Sequence, residues 1–179
     1  MPFRGTHPIS ERLLTDWRDA LGRDADSYGN HVRRVLAMAA DLSGATDEDL
    51  DLLAIAAAFH DVGIWLDGTF DYLEPSVARA ARYLRDTGRT ESTDEVATII
   101  RQHHRMRPWR HPDGRLVEAF RRADWLDVCL MALPSRVPRT RRRALVRTFP
   151  RRGFHRRLLV IGARWWGRHP LRPLPMLKL

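Results

Sequence analysis

The chain has 179 residues and a mass of 20.8 kDa, enough for one domain with its own core and a terminal extension. Its single cysteine, Cys129, excludes an intramolecular disulfide and a cysteine-based zinc site, and fits a reducing compartment. The net charge of +9 is unevenly placed: residues 128–179 carry 14 Lys and Arg and no Asp or Glu, whereas residues 1–127 carry 17 basic and 22 acidic residues, a net of −5.

No run free of Asp, Glu, Lys and Arg exceeds nine residues (Leu52 to His60), so none is long enough to span a bilayer. The segment Met1-Pro-Phe-Arg-Gly-Thr-His7 lacks the apolar stretch of a secretory signal. The protein is therefore expected to be cytoplasmic. The predicted elements are helices. Ser10 caps a first one to about Leu21, with Leu13, Leu14, Trp17 and Leu21 on one face. Ser27 caps a second to about Leu42, carrying Val32, Val35, Leu36 and Ala39 at helical spacing and ending at Ser43-Gly44. Thr46-Asp-Glu-Asp49 opens a third, Leu50 to about Phe59, whose alanine-rich apolar run calls for burial on most sides. A loop over 62–74 follows, with Gly63 and Gly68 as breakers. Pro75 starts a fourth helix, which Gly88 ends, and Ser92-Thr-Asp-Glu95 reads as a capping box for a fifth that runs to about His104.

A loop over 105–114 leads to a sixth helix, Arg115 to Met131. Past Pro134 and Pro138, an Arg-rich helix is predicted over 139–148, another over 153–166, and an extended Pro-rich strap from His169 to Pro175. No strand alternation and no repeat is present. The fold class is all-α, with a helical domain over residues 1–132 and a basic extension over 133–179 packed on or beside it.

Three places carry chemistry. His60-Asp61 closes an apolar helix, where a carboxylate is costly unless it is paired or ligates a metal. His31 interrupts an apolar helix face, and Asp124 sits mid-helix, with Asp127 one turn on as its competitor. Three helices can so aim imidazoles and carboxylates at one point inside a bundle. Adjacent residues on a regular helix point about 100° apart, so a metal collects both His60 and Asp61 only where the backbone bends, and Gly63 is expected to supply the bend. Two imidazoles and two carboxylates suit one divalent ion of Mn, Fe, Co, Ni or Zn.

Four segments then fall into a pattern: Tyr28-Gly-Asn-His31-Val-Arg-Arg-Val35, Ala58-Phe-His60-Asp61-Val-Gly63, Ile100-Arg-Gln-His103-His104 and Ala123-Asp124-Trp-Leu-Asp127. In order and spacing they resemble the HD-domain superfamily of metal-dependent phosphohydrolases. The resemblance implies a helical bundle with one metal held by His31, His60, Asp61 and Asp124, and hydrolysis of a small phosphorylated substrate, often a nucleotide. Relatives with two metals carry a histidine soon after the His-Asp pair. Here no histidine occurs from Val62 to Gln102, which counts against a two-metal centre.

Of His103 and His104, one is expected to face the metal and serve phosphate contact or proton transfer. Asp61 is a catalytic candidate as well as a ligand; Glu74, with Asp67 or Asp71 in the same loop, is a candidate to orient the attacking water, and Arg34, Arg105 and Arg107 are candidates for substrate phosphate. The alternatives are another enzyme on the same scaffold, a hydratase or a di-iron oxygenase, and a non-catalytic module whose basic extension holds nucleic acid or an acidic membrane surface. Docking of that extension on the acidic body is the simpler expectation.

Overall fold

The structure, a computed structural model, describes residues 5–172 and 174–177. Ten helices are described: α1 (Pro8–Asp16), α2 (Arg18–Leu21), α3 (Ala25–Ser43), α4 (Asp47–Phe59), α5 (Gly63–Leu66), α6 (Leu73–Asp86), α7 (Thr93–Gln102), α8 (Arg115–Val128), α9 (Arg139–Thr148) and α10 (Phe154–Arg168). There is no strand among the described residues, and the all-α class holds. No described helix is long and apolar enough to cross a membrane.

Helix α4 is the central rod. Its Leu53-to-Phe59 run is buried on all sides, as its near-continuous apolarity demands. Thr46 and Asp49 form a reciprocal cap at its start: the Thr46 N–H donates to Asp49 Oδ2 (2.7 Å) and the Asp49 N–H to Thr46 Oγ1 (3.3 Å). Around it pack α3, α6, α7 and α8, and the α3–α8 contact is the most extensive between any two helices.

Several helix boundaries differ from the sequence reading for local reasons. The first helix breaks at Trp17 (φ −94°, ψ 3°) into α1 and α2. Ser10 and Ser27 lie inside helices, where each hydroxyl donates back to a carbonyl three residues earlier, His7 and Asp24. Ser92 makes no side-chain cap, because a 3-10 turn over Thr90–Ser92 delivers the chain to α7 already helical (φ −84°, ψ −3°). The predicted loop over 62–74 contains α5 and the start of α6, so Pro75 is the third residue of α6 rather than the first.

The basic extension shares the main core. Val137, Leu145 and Phe154 are buried in the same cluster as Val32, Leu53 and Ile100. It also docks on the acidic body, as Arg141 pairs with Asp41 (2.8 Å) and Arg157 with Asp24 (2.7 Å). The segment predicted as an extended strap is instead bound in turns: the Arg172 N–H donates to the His169 carbonyl, and Leu177 to Leu174. Met176 is buried beside Ile64, Phe70, Tyr72 and Leu73. Pro173 of that segment lies outside the described residues.

Candidate metal centre

Two pairs at i,i+3 spacing face each other across the α3–α8 contact: His31 with Arg34, and Asp124 with Asp127. All four are fully buried. His60 and Asp61 come from the end of α4, where the chain tightens to three-residue spacing: the Val62 N–H bonds the Phe59 carbonyl and the Ile64 N–H the Asp61 carbonyl.

Gly63 does not supply the bend through a left-handed backbone. It is needed for closeness, since a Cβ there would lie 2.9 Å from the Tyr72 carbonyl oxygen and 3.1 Å from Ser76 Oγ. Its N–H donates to that Ser76 hydroxyl. A Gly63→Ala chain is expected to lose about 1–3 kcal/mol, read as a drop in thermal midpoint, because the obstacle is backbone that must move.

The outer hydrogen bonds fix three tautomers. His31 Nδ1 donates to Asp127 Oδ2 (2.8 Å), His60 Nδ1 to the Ala57 carbonyl (2.8 Å) and His103 Nδ1 to the Ile100 carbonyl (2.6 Å). Those acceptors carry no proton, so all three Nδ1 atoms are protonated and all three Nε2 atoms turn lone pairs inward. His31 Nε2 and His60 Nε2 face each other at 2.9 Å. Asp61 Oδ2 is 3.4 Å from His60 Nε2 and 3.7 Å from His31 Nε2; Asp124 Oδ1 is 3.4 Å from His31 Nε2 and 3.7 Å from His60 Nε2.

Asp61 Oδ1, both Asp124 oxygens and His103 Nε2 are buried with no hydrogen-bond partner. A closed pocket lined by acceptors is unstable in itself. A cation held by His31, His60 and Asp61, whose ligand atoms lie within 4.8 Å of one another, would offset this cost. Two atoms each about 2.0–2.2 Å from one ion lie within about 4.4 Å of each other, and the observed separations meet that condition. The donor set therefore fits a divalent metal.

The electrostatics agree at His60 and Asp124; at His103 burial lowers the imidazole, but the Asp61 contact and the Asp124 charge outweigh it and raise it overall. Burial pushes the His60 imidazole down to about 3, keeping it neutral. Burial, with the Asp61 and Asp127 carboxylates close by, pushes Asp124 up to about 7. Asp127 behaves in the opposite sense: burial would raise it, but two Arg34 hydrogen bonds (2.7 and 2.8 Å) and the His31 bond outweigh that and hold it well below the usual carboxylate range.

The other residues singled out in the sequence fall as follows. Arg34 does not reach toward a substrate. Its guanidinium is fully buried and committed to Asp127 and to the Phe149 carbonyl (2.7 Å). Glu74 does not join the cluster either. Because α6 begins at Leu73, Glu74 lies in its first turn with the side chain largely exposed, gripped by Arg101 at 2.7 and 2.9 Å. Arg105 lies over the Trp109 ring at 5.6 Å, and its Nε is buried without a partner.

Both His103 and His104 turn inward, not one of them. His103 Nε2 is 3.3 Å from Asp61 Oδ1 and His104 Nδ1 is 3.5 Å from Asp124 Oδ2. They follow the end of α7 at Gln102, so the 100° spacing of a helix no longer separates them. Asp61, His103 and His104 thus form a second group able to hold an ion, sharing Asp61 with the group His31, His60 and Asp61. His104 is the most exposed member of the cluster, with 13% of its side chain accessible.

Three contributors went unnoticed in the sequence. The Tyr72 hydroxyl lies 2.7 Å from His104 Nε2. Tyr28, one turn before His31, donates its hydroxyl to the Ala58 carbonyl (2.7 Å) beside the His-Asp pair; that i−3 placement was the available signal. Phe154, from the basic extension, stacks on the His31 ring (4.2 Å between centroids, 17° between planes), and nothing local marks it.

The profile of the HD domain matches residues 28–129, more than half of the chain. The chain belongs to the HD-domain family. No curated protein and no solved structure matches it. HD domains are in general metal-dependent hydrolases, although members vary. The HD match covers all six inward-facing groups and their partner Asp127, and leaves out Phe154, so one wall of the centre comes from outside the family's segment.

Proposed function

We propose that the protein is a metal-dependent phosphohydrolase acting on a small phosphate ester, nucleotides included. The observation that carries the metal is the pair of bare Nε2 atoms of His31 and His60 facing each other at 2.9 Å amid partnerless carboxylate oxygens. His31, His60, Asp61 and Asp124 would hold one divalent transition ion. That ion supplies a Lewis acid for a phosphoryl oxygen and lowers the pKa of a water.

The chain's own residues do the rest. Asp127 and Arg34 hold the His31 ring in its tautomer and orientation. The buried walls exclude bulk water, which strengthens every charge interaction inside. His104, linked to the Tyr72 hydroxyl, would take up a proton rather than give one, since burial and the neighbouring His103 hold its imidazole well below its usual range and keep it neutral. Arg105, next in the chain and with an unused Nε, is the candidate for a substrate phosphate. A reducing cytoplasmic setting suits the lone Cys129.

The test is phosphate release from a panel of phosphate esters, nucleotides included, with Mn, Fe, Co, Ni or Zn. Metal-dependent release is expected; a metal-loaded protein inert across the panel contradicts the reading. A second reading, in which the two groups that share Asp61 would each hold an ion, is favoured by one observation, the orphaned pair Asp61 Oδ1 and His103 Nε2 at 3.3 Å. Two ions per chain would select it; one ion per chain opposes the oxygenase class.

Affinity for the ion should depend on pH. Because the Asp124 proton is held up to about 7, well above the usual 3.8, an ion entering below pH 7 must displace it. Affinity should fall about tenfold per pH unit below 7 and level off above it. Titration calorimetry in buffers of different ionisation enthalpy at pH 6 should show about one proton released.

A further inference from the structure

We propose that a cleft between the α8–α9 connection and helix α9 binds a small organic anion carrying two or more phosphates. The cleft has a volume of about 510 Å³ and takes Arg139, Arg142, Arg143, Arg147 and Arg151 into its lining.

Arg142 points to a missing ligand. It is 7% exposed. Its Nη1 donates to the Met131 and Leu133 carbonyls (2.6 and 3.1 Å), and its Nε is buried with no partner. Three arginines are buried among the described residues: Arg34, Arg121 and Arg142. Arg34 has Asp127 and Arg121 has Glu118; Arg142 has no carboxylate. A buried cation without an anion is costly, and none of the residues lining this cleft is an Asp or Glu.

The surroundings repeat the demand. Arg139, Arg143 and Arg147 recur at four-residue spacing along one face of α9, a row about 12 Å long. Arg151 adds a further guanidinium with a buried, partnerless Nε. Among the described residues no ion pair joins any of these four to a carboxylate. Guanidiniums match phosphate oxygens in bidentate fashion, and five of them call for more than one phosphate. Leu130, Met131 and Val146 supply an apolar wall for an organic portion. Leu130 and Met131 are held in the left-handed region (φ 57° and 66°), with the Met131 carbonyl fixed by Arg142. The concave shape favours a compact ligand over a polymer, which would need an extended basic track.

The experiment is calorimetric titration of the full chain with inorganic tripolyphosphate and, separately, adenosine triphosphate, at 150 mM salt. Micromolar binding of at least one is expected, weakened tenfold or more in Arg143→Gln/Arg147→Gln, whose exposed side chains leave the thermal midpoint unchanged. Tighter binding of the nucleoside form assigns the apolar wall to an organic group; equal binding assigns the site to the phosphates alone, which narrows the ligand class. No binding of either compound, or equal binding by the double variant, overturns the proposal. So does a chain that ignores both compounds yet binds a 20-base-pair DNA. None of the five arginines is hydrogen-bonded to the His/Asp cluster, so failure here leaves the metal centre standing.

Discussion

Asp124→Asn is expected to make the metal-free chain more stable and its chemistry inert. Both Asp124 oxygens are buried without a donor, and other carboxylates stand close by. An amide of the same shape removes the buried charge and brings N–H groups to bare acceptors such as His31 Nε2 at 3.4 Å. The gain should be about 1–3 kcal/mol, the usual cost of an unsatisfied buried polar group, read as a raised thermal midpoint in chelator. The same change removes one of the proposed metal ligands. An outer partner of a metal site is worth about 10–100-fold, and a direct ligand should exceed that, so metal-dependent hydrolysis should fall more than about 100-fold. A destabilised chain, or one with undiminished hydrolysis, would show that Asp124 does not belong to the centre.

Asp127→Asn should act in the opposite direction on stability. Asp127 neutralises the fully buried Arg34 and holds His31 Nδ1. Breaking a buried pair from one side costs about 3–5 kcal/mol, a large part of the ~5–15 kcal/mol that holds a typical domain together. Denaturant unfolding of the metal-free chain measures it. A double change separates the two duties of the residue. Arg34→Met with Asp127→Leu removes both charges, so stability should return. His31 then lacks its acceptor, and metal affinity should stay about 10–100-fold down. Recovery of both would mean that Asp127 has no part in orienting His31.

Much of the centre was legible because its residues break a local rule. His31 in an apolar face, a His-Asp pair closing an alanine-rich helix and an aspartate mid-helix are each expensive in a core, and the expense marks them. The i,i+3 spacings of His31 with Arg34 and of Asp124 with Asp127 were also visible. What the sequence could not say is which member of each pair meets which across the α3–α8 crossing. Arg34 was open to a phosphate or a carboxylate, and only the packed helices commit it to Asp127. Glu74 was misplaced because α6 starts two residues before Pro75, which turns that side chain outward to Arg101. His103 and His104 were expected to diverge, and they converge because the helix stops one residue before them. Phe154 had no signal at all, since its partner His31 lies 123 positions earlier in the chain.

Elemental analysis of the purified chain reaches the central claim most directly. One divalent transition ion per chain, retained through gel filtration and absent from Asp61→Asn, is the predicted result. A correctly folded parent chain that neither retains nor takes up any such ion at pH 7.5 would contradict it, and the facing lone pairs of His31 and His60 would then need another explanation.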